Sequence, residues 1–281
     1  MNFFDFHCDT LFEAYTKNKN LWNGDLQVNF EKISKFDNYI GCFAIWIPDE
    51  LDENESFEFF KNMVEFYKKN KSLNINKKAK IILTLEGTKP IGSDLSRIKF
   101  IKKCGIKIVT LTWNGRCRVG DGCMVENPRG LSNFGHLVVE ELEKNDITID
   151  VSHASDKLFY DVSKIATKPF IASHSNSRTI CNHPRNLTDE QFKIIVQNGG
   201  KVGINFCDEF IKAGGNAKLD DLYRHIDHFI SLGGKNSIAI GSDFDGSKTV
   251  SCIRDITAIT DNVRLSIFLW NLDANFQEYL L

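Results

Sequence analysis

Eight short apolar runs, most separated by helical periodicity, constrain this chain more than any other feature. They are Phe3–Asp9, Gly41–Pro48, Ile81–Glu86, Ile106–Trp113, Ile147–His153, Pro169–His174, Lys201–Phe206 and Ile238–Asp243. Each reads as a strand of about four to eight residues, too apolar to keep one face in water, as strands covered on both sides are. Between them, Glu55–Lys71 places Phe57, Phe60, Met63, Val64 and Tyr67 on one helical face. Leu95–Lys103, Ser132–Asn145, Ser155–Ile165, Thr188–Gln197 and Leu219–Leu232 also read as helices. Ser155-Asp156 marks an N-cap region, Thr188-x-x-Gln191 a capping box, and Gly199-Gly200 and Gly233-Gly234 are stops. A length of 281 residues allows two domains, but no Pro/Gly/Ser-rich linker interrupts the rhythm. The pattern predicts one domain over residues 1–281, an α/β fold of the (β/α)8 TIM-barrel type. Thr10–Ile40 is irregular and is expected to form a loop layer over one face.

Charge narrows the function classes. With 35 Lys+Arg against 37 Asp+Glu, the formal net charge is -2. Such a balance gives no bulk attraction for nucleic acid or an anionic membrane. The basic stretches Lys68–Lys71 and Lys77–Lys80 read as solvated faces, without an aromatic stacking platform. No apolar run approaches the ~20 residues of a membrane span. No basic segment or cleavage site follows Met1, so the chain reads as cytoplasmic. Eight scattered cysteines without a CxxC pair read as reduced thiols.

The informative polar residues lie at strand ends. His7 and Asp9 close the first run, Glu86 the third, His153 the fifth, His174 the sixth and Asp243 the eighth. In a barrel of this type, the C-terminal strand ends form the active-site mouth. Residues 7 and 9 share a direction along a strand while Cys8 points away, so one imidazole and one carboxylate can grip the same ion. His-x-Asp alone is a weak signal, and a lone buried Glu more often pairs with Lys or Arg. Four strand ends supplying His7, Asp9, Glu86, His153 and His174 to one mouth favour a metal site over coincidence. Imidazole and carboxylate ligands suit zinc, and manganese, iron or cobalt fit the same shell. His136, His225 and His228 lie in helical patterns and are expected to face solvent or the barrel exterior, and His183 lies in a loop near the mouth.

These residues resemble the renal (membrane) dipeptidase family of zinc-dependent dipeptidases. The resemblance is carried by Phe6-His7-Cys8-Asp9-Thr10, Glu86-Gly87, Asp150-Val151-Ser152-His153, Ala172-Ser173-His174-Ser175-Asn176, His183-Pro184-Arg185-Asn186-Leu187-Thr188-Asp189 and Gly241-Ser242-Asp243-Phe244-Asp245-Gly246, in order over nearly the whole chain. It implies two zinc ions: His7 and Asp9 on one, His153 and His174 on the second, Glu86 bridging them. It implies that a metal-bridging hydroxide attacks the peptide bond, that Asp243 moves the protons, and that Arg185 binds the free carboxylate of a dipeptide. A D-residue at the C-terminal position and a homodimer are both allowed by it. Two departures stand out. Trp113, followed by Asn114, occupies the place of a family His that helps hold the substrate carbonyl. Either zinc alone, Asn114 or another loop donor then takes that role. Only a short tail follows Asp243, and the eighth helix is expected to be abbreviated. Two rival readings are a metal-dependent amide or lactam hydrolase and a catalytically silent barrel. Many such hydrolases use His-x-His and a modified Lys bridge instead, and the intact ligand set, Arg185 and Asp243 argue against silence.

Overall fold

The computed structural model describes residues 2–71 and 79–259. The segment beyond residue 259, which includes the expected last helix, lies outside the described residues, as do Lys77 and Lys78. Among the described residues, seven strands form one parallel sheet: β1 (Asn2–Cys8), β2 (Asn38–Trp46), β3 (Ala79–Glu86), β4 (Ile106–Thr110), β5 (Thr148–Asp150), β6 (Val202–Ile204) and β7 (Ile238–Ile240). Their order is β5-β4-β3-β2-β1-β7-β6, so the first strand lies inside the sheet and pairs with both β2 and β7. The helices are α1 (Thr10–Thr16), α2 (Phe30–Ile33), α3 (Glu53–Asn70), α4 (Ser96–Lys103), α5 (Asn133–Lys144), α6 (Asp156–Ile165), α7 (Asp189–Gln197), α8 (Asp208–Ile211) and α9 (Leu219–Ser231). No helix among the described residues is long and apolar enough to cross a membrane.

The architecture is a curled parallel sheet with helices between its strands. Of the eight expected strands, Pro169–His174 forms only isolated bridges, from Ile171 to Asp150 and from Ala172 to Val202. Those bridges join this segment to both edges of the sheet. Val151 N donates to Ile171 O (2.8 Å) on one side, and Ala172 N to Lys201 O (3.0 Å) on the other. Strands β5, β6 and β7 are shorter than their apolar runs, so His153 and Asp243 each sit three residues beyond a strand end.

Thr10–Ile40 is not purely irregular, because α1 and α2 lie within it. Asn29 caps α2 by accepting from Lys32 N (2.8 Å). Helices this short carry too few apolar anchors to show a period. Helix α3 begins two residues earlier than its apolar pattern, because Asp52 and Glu55 form a capping box there. The expected caps of α6 and α7 are present, at Ser155 and at Thr188 with Gln191.

Two apolar clusters flank the sheet. The smaller one lies inside the curl: Phe4, Phe6, Ile40, Cys42, Ile82, Ile108, Ile171 and Ala239. The larger one, with Phe3 and Cys8, packs the other face against the helices. Phe4 and Phe6 point inward, so a strict period of two would also turn Cys8 inward. The pairing of β1 with β2 slips between Asp5 and Cys8. That slip reverses the parity, sends Cys8 outward and delivers His7 to the mouth.

The expectation for His225 is overturned. It is fully buried, with Nε2 donating to Ile211 O (2.9 Å) and Nδ1 accepting from Ser177 N (3.1 Å). Its helix face is covered by the loop after His174, a contact that helical periodicity does not reveal. His228 is partly exposed and pairs with Asp189 (2.7 Å), and His136 is exposed.

Candidate active site

All five expected ligands and Asp243 are buried together at the C-terminal end of the sheet. His7 is the penultimate residue of β1, Asp9 precedes α1 without a side-chain capping bond, and Glu86 is the last residue of β3. His153 and Asp243 follow their strands in left-handed backbone conformations, with φ of 66° and 60°. Such conformations cost non-glycine residues about 1–3 kcal/mol and persist only where the surroundings hold them. Cys123 N donates to His153 O (2.8 Å), and Asp243 N donates to His7 O (3.0 Å).

Glu86 divides the site. Its Oε2 lies 3.5 Å from His7 Nε2, which is itself 3.5 Å from Asp9 Oδ2. Its Oε1 lies 2.8 Å from His153 Nε2 and 3.8 Å from His174 Nε2. The two histidine Nε2 atoms are 2.9 Å apart. Hydrogen-bond bookkeeping fixes their state. Asp150 accepts from Thr110 Oγ1 (2.7 Å), Ser173 Oγ (2.6 Å), and the amides of Ser152 and Ser173 (2.9 Å each). Ser173 has one proton and gives it to Asp150, so its oxygen accepts from His174 Nδ1 (2.7 Å). Asn114 Oδ1 likewise accepts from His153 Nδ1 (2.8 Å). In neutral imidazoles both Nε2 atoms are then bare acceptors, aimed at each other and at a carboxylate oxygen. Three acceptors within this distance need a shared proton or a metal cation between them. His7 Nε2 and Asp9 Oδ1 are buried without a hydrogen-bond partner, which the same need explains. Two ligand groupings emerge from the geometry, His7–Glu86–His174 and His7–Asp9–Asp243.

The electrostatics agree. Burial opposes charge on His7, yet Glu86, Asp9 and Asp243 push its pKa up to about 10. Burial, reinforced by Asp9 and Asp243, pushes Glu86 up to about 8. Burial and the Asp9 charge raise Asp243 to about 6, against a bond from Asn205 Nδ2 to its Oδ2 (3.1 Å). Burial holds His153 and His174 well below the usual histidine value; Arg185 and His7 add to it. Excess acid at one end and two neutral imidazoles at the other make a set of groups that could hold a cation.

The remaining expected residues surround this centre. Arg185 is buried, with Nη2 donating to His174 O (3.3 Å) and its guanidinium carbon 5.4 Å from the Phe210 ring. Its Nε is buried without a partner. Trp113 and Asn114 line a cavity of about 380 Å³, together with Asp9, Glu86, His153 and Asp243. The Asn114 carbonyl is engaged by His153 and so fixes the orientation of that ring. Beneath the site lie supports that the sequence reading assigned no role. Asp5 accepts from His7 N (3.2 Å), Ser242 N (2.9 Å) and Ser242 Oγ (2.5 Å). Asp150 serves the other half. An acid two or three residues before a strand-end His was the available signal for both. Gly246 had none: a Cβ there would overlap Asp9 Oδ2.

Known proteins resemble this chain in sequence or in fold. Its matched stretch is 32% identical over 189 residues to an uncharacterized protein in the pqqA 5'region of Klebsiella pneumoniae, covering 64% of this chain and 70% of that one. It is 30% identical over 181 residues to Dipeptidase 3 of Homo sapiens, covering 62% of this chain and 37% of the human protein. The fold matches a metallo peptidase from Rhodobacter sphaeroides, solved with a phosphinate mimic of the dipeptide L-Ala-D-Ala. That match has a TM-score of 0.83 at 22% identity and covers 100% of this chain and 96% of that one. The sequence model of the membrane dipeptidase family (peptidase family M19) matches residues 1–263. The chain therefore belongs to the membrane dipeptidase family.

Proposed function

We propose that this chain is a zinc-dependent dipeptidase, holding two metal ions at the mouth of a closed (β/α)8 barrel whose eighth staple is Pro169–His174. The division of Glu86 between two imidazole groups carries the reading. His7, Asp9 and Glu86 Oε2 would hold one ion; His153, His174 and Glu86 Oε1 would hold the other. Imidazole and carboxylate donors suit zinc. A bound metal pair supplies a water acidified toward neutrality and a Lewis acid for the carbonyl.

The protein's own groups do the rest. Asn114 and Ser173 hold the two imidazoles with Nε2 bare and turned inward. Asp243 faces the centre, with Oδ2 held by Asn205, and is positioned to accept a proton and return it to the leaving amine. Arg185 presents a fork with an unpartnered Nε, suited to the C-terminal carboxylate of a dipeptide. A longer peptide continues where that carboxylate must sit, which limits the substrate to two residues. Membership of the dipeptidase family and the dipeptide mimic bound by the Rhodobacter structure support the same substrate class.

The test is hydrolysis of Ala-Ala and Ala-D-Ala by the purified chain, before and after chelation and after zinc is restored, with metal counted by elemental analysis. Two equivalents of metal and chelator-sensitive hydrolysis are expected. Glu86→Ala should lose both ions and most activity; two retained ions with near-normal turnover would refute the bridging role.

A further inference from the structure

We propose that Phe12, Trp46 and Trp113 form a selectivity wall for a large aromatic side chain on the N-terminal residue of the dipeptide. The proposal rests on the dipeptidase reading and adds to it the class of substrate. The three rings come from different elements: α1, the last residue of β2, and the segment three residues past β4. They nevertheless make one surface. Phe12 meets Trp46 edge-on at 4.9 Å, and Trp46 meets Trp113 at 5.2 Å. Trp113 continues to the His153 ring at 6.1 Å. All three are half-buried and line the cavity that holds Glu86 and His153.

Phe210, beside Arg185, lines the same cavity, and under the dipeptidase reading that side takes the substrate carboxylate. A dipeptide anchored at Arg185, with its peptide bond at Glu86 and His153, extends its N-terminal side chain away from Phe210 and onto the three rings. The nearby charges do not compete for it. Glu13, on the same helix as Phe12, is paired with Lys17 (3.0 Å) and Lys19 (2.8 Å), and the unpartnered Asp9 oxygen belongs to the candidate metal centre. Edge-to-face packing holds the rings before substrate arrives, so an incoming aromatic ring gains stacking contact without ordering the wall. A methyl side chain leaves the wall wet. A pocket that separates substrates by one methylene commonly reaches about tenfold, and a phenyl group removes far more area from water.

The experiment compares kcat/KM of the zinc-loaded chain for Phe-Ala, Trp-Ala, Ala-Ala and Ser-Ala, with tryptophan quenching on mixing as a second readout. Phe-Ala and Trp-Ala should exceed Ala-Ala by at least about tenfold, mainly through KM, and Phe-Ala should quench at lower concentration than Ala-Ala. Trp113→Ala should bring the ratio to within about threefold, Trp113→Phe should keep most of it, and Phe12→Ala, on a separate element, should lower it as well. Equal kcat/KM for Phe-Ala and Ala-Ala would overturn the wall while leaving the dipeptidase reading standing. So would a Trp113→Ala chain that folds normally by circular dichroism but loses the same factor on every dipeptide. Failure to hydrolyse any of the four with zinc bound would overturn both.

Discussion

His225 should make this protein lose stability in mild acid by an amount the structure sets. Its two ring nitrogens are already committed as one donor and one acceptor: Nε2–H to Ile211 O and Nδ1 from Ser177 N. A second proton would place N–H against N–H inside a buried site. Burial, with help from Arg224 and His228 and against the Ile211 carbonyl, lowers the folded-state pKa from 6.5 to about 4. Between those values the unfolded chain binds more protons, so stability rises with pH. The contribution of neutral His225 is complete above pH 6.5 and disappears as pH falls to about 4. A gap of about 2.5 pH units at 1.36 kcal/mol each is about 3 kcal/mol. The assay is urea unfolding of wild type and His225→Gln from pH 7.5 to 4. Gln can donate and accept at the same two positions but does not titrate, and the other ionisable groups cancel in the difference. Wild-type stability minus variant stability should fall by about 3 kcal/mol across the range. A difference constant to within roughly 0.5 kcal/mol would refute the reasoning. The site matters beyond stability, because Ser177 begins the loop that carries Arg185 and Ile211 follows Phe210.

Three further outcomes test the supports of the centre. Ser173→Ala removes the acceptor that holds His174 Nδ1 and should weaken metal affinity by about 10–100-fold in chelator competition, with the fold retained. Gly246→Ala pushes a methyl into Asp9 Oδ2, the end of a movable side chain. Thermal unfolding should therefore change little while metal content and hydrolysis fall; full activity would show that Asp9 does not need that position. Thr188→Ala breaks the capping box of α7 and should cost about 1 kcal/mol by urea unfolding, without changing KM.

Much of the site was legible because its chemistry sits at repeating places. An apolar run can end in His, Asp or Glu only where those groups find partners, and five such ends in one α/β rhythm point to a shared mouth. The caps of α6 and α7 were legible for a related reason, since they depend on residues three apart in the chain. The supports were not. Asp150 serves Ser152, Ser173 and Thr110, and Asn114 serves His153 across 39 residues. Such pairings depend on which strand ends become neighbours. His225 was misplaced because a helix carries no record of a loop that later covers it.

The order of apolar runs, their helical spacing and the identity of the candidate ligands are written in the chain, because they rest on local periodicity and residue chemistry. The tertiary structure alone determines how those ligands face one another. In β1, strict alternation from Phe4 and Phe6 would turn Cys8 inward and His7 away. The slipped register between Asp5 and Cys8 reverses that parity. It arises from pairing with β2, a contact between segments more than 30 residues apart, and no local pattern in Phe3–Asp9 specifies it.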